Sequence, residues 1–344
     1  MEQSALERYE ASEAPAVVIE LKRLTKRYGA QAAVNGLDLT IRKGEIFGLL
    51  GPNGAGKTTT ILMMLGLTEP TSGAARVMGL DPVRQPLRVK RRVGYMPDDI
   101  GFYEDRTAFD NLVYTARLNG IPLPDAQERA MELLERVGLE GTTGKKVGAF
   151  SRGMRQRLGI ADVLIKRPDV IILDEPTLGI DPEGVRELLE LIRQLSRKEG
   201  ITVLLSSHHL HQVQQICDRV GLFVRGELIA IGDVQTLAAQ LDDEGTMQVE
   251  LEASGWQPML LEALRSLAGV VEFREPQTAA ELTPEQSAQA VLICTRDVTS
   301  EAAALVIGHG ANLLSIKRKQ YGLDDIYHRY FEGGGKLERN DDKF

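Results

Sequence analysis

At 344 residues the chain is long enough for two domains, and 43% hydrophobic with 26% charged residues is ordinary globular composition. A net charge of −8 argues against wholesale nucleic-acid binding, and no apolar run reaches the ~18 residues that span a bilayer. The two cysteines, Cys217 and Cys294, lie far apart without metal-ligand spacing, so two reduced thiols in a cytosolic protein are expected.

In chain order, residues 1–15 are acidic and polar. They lack the basic-then-apolar pattern of a secretory signal and are expected to be a flexible tail. Residues 17–22 alternate as a strand does, and Tyr28 follows. Residues 33–41 alternate again, 42–44 turn, and 45–50 form a short apolar run of buried-strand type. Next comes Gly51-Pro52-Asn53-Gly54-Ala55-Gly56-Lys57-Thr58-Thr59, which fits the phosphate-binding pattern G-x-x-x-x-G-K-[ST] in full. Residues 60–67 then read as an apolar helix.

Strand, glycine loop and helix together aim backbone N–H groups and a helix N-terminus at phosphate oxygens. The glycines let the backbone turn and approach closely. Lys57 would reach the β- and γ-phosphates, the Thr58 hydroxyl would sit on Mg²⁺, and Thr59 could donate to the α-phosphate. The bland alternative is a glycine-rich turn with a stray lysine. With Gly at ~7% of average protein, a chance match in such a chain is roughly a 1% event, so a nucleoside triphosphate site is expected. An aromatic shortly before such a loop can stack on a base. Tyr28 can equally pack in its own domain, and both readings stay open at this point.

Residues 68–81 are turn-rich. Residues 93–96 form a short strand ended by Pro97-Asp98-Asp99. Thr107 is an N-cap for a helix over 108–119, and Pro124-Asp125 opens another over 126–137. Both are amphipathic. Ser151 caps a helix running to about 166, and Pro168 breaks the chain. Residues 170–175 form a buried strand ending in Asp174 and Glu175, and 201–207 form another, followed by His208. Continuous apolar runs separated by helices imply a mainly parallel sheet with helices on both faces. Residues 219–233 read as a hairpin turning at Arg225-Gly226.

After residue 241 the character changes, with a polar joint at 242–245. Beyond it come strand 247–252, helix 258–267, strand 270–274, strand 290–296, helix 300–308 and strand 313–319. That βαββαβ order is a split-βαβ pattern. A last helix, 323–331, precedes a Gly-rich polar tail.

Four pieces stand in order: the phosphate loop, Phe150-Ser151-Arg152-Gly153-Met154, Asp174-Glu175-Pro176-Thr177-Leu178-Gly179-Ile180-Asp181, and Ser206-Ser207-His208. Over about 17–235 the chain therefore resembles the ATPase subunit of ABC transporters. The resemblance implies an α/β P-loop fold over 16–241, with a helical subdomain at about 98–166. It implies ATP and Mg²⁺ as ligands, a second ATPase subunit, and a separate transmembrane permease at the cytoplasmic face of the membrane. Residue by residue, Tyr28 matches the aromatic on adenine, Asp174 the acid holding Mg²⁺, and Glu175 the general base. His208 matches the histidine on the γ-phosphate, and Asp181 the loop that communicates across the dimer. Ser151 and Gly153 match the signature motif, which contacts the γ-phosphate bound by the other subunit. Phosphoryl transfer needs mostly positioning and charge neutralisation, which this set supplies.

There are departures. The usual signature is Leu-Ser-Gly-Gly-Gln, and Phe150, Arg152 and Met154 replace three of its residues. Asp98 stands where a Mg²⁺-binding glutamine is commoner. A carboxylate can ligate Mg²⁺ as well as an amide does, so Asp98 remains a candidate metal ligand. A metal-site reading of the run His208-His209-Leu210-His211 is weaker, because one histidine is already placed by motif and the other two are expected to face solvent on a helix.

Residues 246–332 resemble the small C-terminal accessory domain of exporter-type members, which often end in a motif like Leu323-Asp324-Asp325-Ile326-Tyr327. Residues 333–344 are a polar tail. The rivals are a non-transport ABC ATPase of translation or DNA repair, and a binding module without turnover. The first usually carries two cassettes or a long coiled coil, absent here, and the last would lack Glu175 or His208.

Overall fold

The computed structural model of the chain describes residues 16–209, 212, 214–233, 236–237, 247–276 and 286–318. Segment 1–15, the joint 242–245, helix 323–331, tail 333–344 and His211 lie outside the described residues. The chain divides into two compact units, Met1–Asp233 and Val234–Phe344.

The first unit runs β1 (Val17–Tyr28), β2 (Gln31–Arg42), β3 (Ile46–Leu50), α1 (Lys57–Met64), β4 (Ser72–Val77), α2 (Pro86–Arg92), β5 (Val93–Met96), α3 (Ala108–Leu118), α4 (Leu123–Arg136), α5 (Arg152–Leu164), β6 (Val170–Asp174), α6 (Pro182–Glu199), β7 (Thr202–Ser207), β8 (Arg219–Val224) and β9 (Glu227–Gly232). Six strands form one sheet in the order β5-β6-β7-β3-β8-β9, parallel except at β9. Every residue of β3, β6 and β7 is buried. Strands covered on both faces read as largely apolar runs, and here the polar residues Thr202, Ser206, Ser207 and Asp174 stand only at the strand ends. Leu50 pairs with Ser207, and Asp174 with Ser206. The ends of β3, β6 and β7 therefore share one edge of the sheet. In open α/β sheets that carboxyl edge is where ligands bind.

A second, antiparallel sheet has the order β2-β1-β4. Leu21, Leu37 and Leu39 from it share a core with Phe47 of β3 and Ile61 and Met63 of α1. The phosphate loop is thus anchored at both ends in one apolar cluster.

The elements differ from expectation at several places: the helix expected at 60–67 is Lys57–Met64, the strand expected at 290–296 is Ser287–Cys294, and four further differences have identifiable reasons. β1 continues to Tyr28 because Arg23, at φ 46°, forms a bulge that breaks the alternation between Leu21 and Leu24. The stretch 68–81, expected to be turns, contains β4. Its Ser72-Gly73-Ala74-Ala75 run has little strand propensity, and the ladder with β1 imposes the conformation. α2 begins with Pro86 at its first turn. α6 is capped by Asp181, starts at Pro182, buries Val185, Leu188, Leu189, Ile192 and Leu195, and ends at Gly200 in the left-handed region. Thr107 caps α3 through a reciprocal pair with Asp110.

The second unit runs β10 (Met247–Ser254), α7 (Pro258–Arg265), β11 (Val270–Arg274), β12 (Ser287–Cys294), α8 (Thr299–Gly308) and β13 (Asn312–Arg318). Its sheet is antiparallel with the order β11-β12-β10-β13. Val249, Leu251 and Leu292 pack with Leu260, Leu264, Ala302 and Val306 in a separate core.

Candidate nucleotide site

The loop from Gly51 to Gly56 joins β3 to α1, and its first and last glycines are fixed by close approaches. A Cβ at Gly51 would lie 2.1 Å from the Phe223 carbonyl oxygen. One at Gly56, which has φ +108°, would lie 2.2 Å from that of Ala33. Gly56 is also the N-cap of α1, and no side chain caps the helix. An uncapped helix start after a glycine loop is a ready anion site. Lys57 is buried, and its Nζ donates to the Gly51 carbonyl at 2.7 Å. The Thr58 hydroxyl donates to Oδ2 of Asp174 at 2.9 Å.

Asp174 ends β6, and burial pushes its carboxyl above the usual range. The Ser206 and Thr58 hydroxyls pull it back in part. Glu175 follows with φ 51°, a strained conformation for a non-glycine residue. Its Oε1 lies 3.4 Å from the Lys57 ammonium, and its Oε2 lies 2.9 Å from Nδ1 of His208. A carboxylate only accepts, so this contact puts the imidazole proton on Nδ1. Ionic and hydrogen-bonded contacts thus link Lys57, Glu175 and His208, while Thr58 is tied to Asp174.

Lys57, Thr58, Asp174 and Glu175 border a cavity of about 680 Å³, while His208 and Gly51 lie outside its lining. Pro52, Asn53, Gly54, Ala55, Gly56, Lys57, Thr58 and Thr59 line it, with Asp98, Asp174 and Glu175. Its remaining wall is Gln31, Ala32 and Ala33 with Arg225 and Gly226, none of them expected from sequence. The Gly226 amide donates to Ala55 at 2.8 Å and the Asn35 amide to Gly226 at 2.7 Å. The β8–β9 turn therefore closes on the phosphate loop through backbone contacts that no local pattern encodes.

Tyr28 is outside the cavity lining, with its ring over the Lys26 ammonium at 5.1 Å. It is 55% exposed, so it is not held by packing in the core. Ser151, Gly153 and Asp181 are also outside the lining. Ser151 caps α5, accepting from the Met154 amide at 3.3 Å, and Asp181 caps α6. His209 departs from the expectation of a solvent-facing residue on a helix. It lies outside any helix, its ring is tilted 43° against that of His208 with centroids 3.9 Å apart, and its Nδ1 is buried without a partner. Potential ligand atoms of Glu175, His208 and His209 lie within 4.8 Å of one another. The Lys57 ammonium beside Glu175 opposes a cation there.

A parallel sheet carrying a lysine–hydroxyl phosphate loop and an acid pair on a neighbouring strand defines a P-loop nucleoside triphosphatase. The family model described as "ABC transporter" matches residues 34–178. The chain is 36% identical to the linearmycin resistance ATP-binding protein LnrL of Bacillus subtilis (strain 168), over 90% of this chain and 97% of that protein. It is 44% identical to the bacitracin transport ATP-binding protein BcrA of Bacillus licheniformis, over 62% of this chain and 68% of that one. The solved structure of cbiO1 from Clostridium perfringens, part of the ABC transporter complex cbiONQ, superposes with a TM-score of 0.61 at 27% identity, covering 66% of this chain and 92% of that one. The chain belongs to the ABC transporter ATP-binding proteins and is an ATPase of that family. Among the described residues, no helix is long and apolar enough to cross a membrane.

Proposed function

We propose that this chain is the ATP-hydrolysing subunit of an exporter, acting as a dimer that drives a separate transmembrane permease from the cytoplasmic face. The observation that carries the reading is the linkage of Lys57, Glu175 and His208 beside the Thr58–Asp174 pair at one edge of a parallel sheet. The choice of an exporter is supported by the similarity to LnrL, a linearmycin resistance ATP-binding protein, which covers 90% of this chain and so reaches into the second unit.

Lys57 holds the β- and γ-phosphates, exchanging its contact with the Gly51 carbonyl for phosphate oxygens. The α1 amides and Thr59 bind the remaining phosphate oxygens, and Tyr28 contributes a ring for the base. Mg²⁺, which the family implies, takes hard oxygen donors, and the Thr58 hydroxyl and Asp174 carboxylate are such a pair already in contact. Bound there, the ion neutralises phosphate charge. Glu175 accepts the proton of the attacking water, and His208 fixes the carboxylate through Nδ1. Ser151 and Gly153 serve the nucleotide held by the other subunit, and Asp181 lies at the contact between subunits.

The test is purification of the tagged chain from detergent-solubilised membranes, with the associated protein identified and both reconstituted in vesicles. A stoichiometric polytopic membrane protein, in whose presence hydrolysis responds to an exported compound, is expected. A chain that hydrolyses ATP at full rate with no membrane protein bound, and is indifferent to the reconstituted candidate, contradicts the transport role.

A further inference from the structure

Arg152 is the first residue of α5, directly after Ser151. A guanidinium at that end of a helix sits against the positive pole of the helix dipole, so helix stability does not account for it. Its partners lie on two other segments. Its Nη2 forms an ion pair with Oδ1 of Asp98, in the segment after β5, at 3.6 Å. Its Nε donates to the Leu178 carbonyl, in the segment between Glu175 and Asp181. The next residue, Gly179, has φ +72°, and a Cβ there would lie 2.8 Å from Cδ of Arg152. The arginine stem therefore lies against the Leu178–Gly179 backbone, at a position where only glycine leaves it room.

One side chain thus joins the carboxylate on the cavity wall to the loop that follows Glu175. Asp98 and Arg152 are also both positions where the chain departs from the pattern it resembles. The ion pair is long and about half exposed at both ends. Such pairs are weak, and a doubly charged cation is a stronger partner for a carboxylate.

We propose that Arg152 is a positioning residue that holds Asp98 and the Leu178–Gly179 segment together, and that the metal ion of a bound metal–nucleotide competes with it for Asp98. Arrival of the metal then releases Arg152 from Asp98. The inference rests on the reading of the cavity as a metal–nucleotide site.

Two measurements on the full-length chain test it. The first is Mn²⁺ binding, followed by electron paramagnetic resonance in the presence of a non-hydrolysable ATP analogue. Arg152→Gly removes the competitor and should tighten Mn²⁺ binding at least threefold. Arg152→Lys, which keeps the charge, should stay near wild type. In an Asp98→Asn background, Arg152→Gly should change nothing, because the group competed for is gone. The second is backbone hydrogen exchange in the nucleotide-free protein. The Leu178 and Ile180 amides bond locally to Glu175 and Thr177. Their exchange should rise several-fold in Arg152→Gly and stay unchanged in Asp98→Asn.

Mn²⁺ affinity that is unchanged or weaker in Arg152→Gly overturns the competition. Unchanged exchange at 178 and 180 overturns the tether. Either result with a wild type that binds the analogue counts against this proposal alone. A wild type that binds no analogue overturns the nucleotide reading and the proposal with it.

Discussion

Nδ1 of His208 stands 2.9 Å from Oε2 of Glu175, joining the residue after β7 to the residue after β6. Oε1 of the same carboxylate faces Lys57 at 3.4 Å. Glu175 is therefore held from two sides, in a backbone conformation it would not adopt alone. His208→Ala should lower turnover by ~10²-fold while leaving ATP affinity within a few-fold, because it removes the group that aims the base. His208→Gln keeps a donor and should retain more activity. Steady-state hydrolysis and fluorescent-nucleotide titration of both variants check this. Equal, near-wild-type rates would show that the contact is incidental.

The phosphate loop yields a stability prediction with an internal control. Gly56→Ala forces a Cβ to 2.2 Å from the Ala33 carbonyl oxygen at φ +108°. Backbone strain alone is expected to cost about 1–3 kcal/mol, and ATP affinity should fall at least tenfold. Gly54→Ala meets nothing within 4 Å, although its φ is +79°. It should be the milder change in both thermal melting and ATP titration. The reverse order would mean that the close approach to Ala33 does not constrain the loop.

The candidate site residues were legible because each belongs to a short local pattern beside a buried strand, and the structure brings their side chains together. Lys57, Thr58, Asp174, Glu175 and His208 needed only motif and strand type to be named. What stayed hidden depends on contacts distant in sequence. Gln31–Ala33 and Arg225–Gly226 became a cavity wall through the backbone bonds that tie Gly226 to Ala55 and Asn35. β4 was hidden because small residues take a strand conformation only under the ladder with β1. α6 is a different case. Its signals are local, with Asp181 as cap, Pro182 at the first turn, apolar residues at helical spacing and Gly200 at the end, and Asp181 is both the cap of this helix and the last residue of the loop motif.

Ser151 and Gly153 lie outside the cavity lining of their own chain, which carries the shared-site prediction. Ser151→Arg should abolish hydrolysis and leave nucleotide affinity of the monomer nearly unchanged. Mixed with Lys57→Ala, it should recover one working site per dimer. Mixed dimers that form and show no recovery would contradict a site completed by the second subunit.

All residues named at the cavity precede Asp233, and the second unit has its own core. Truncation after Leu241 should leave a folded protein that binds ATP with unchanged affinity. If residues 246–332 brace the dimer, ATP-driven dimerisation should weaken in sedimentation of truncated and full chains, both carrying Glu175→Gln. Identical dimer constants would remove the bracing role.

The most direct measurement is single-turnover and steady-state hydrolysis of MgATP by the wild type and by Glu175→Gln. The amide keeps the shape of the carboxylate and loses the base. Turnover should fall at least ~10²-fold. ATP should stay bound and intact, and the ATP-bound dimer should accumulate by mass action. A Glu175→Gln protein that hydrolyses ATP at near the wild-type rate would contradict the assignment of the base, and with it the account of the site.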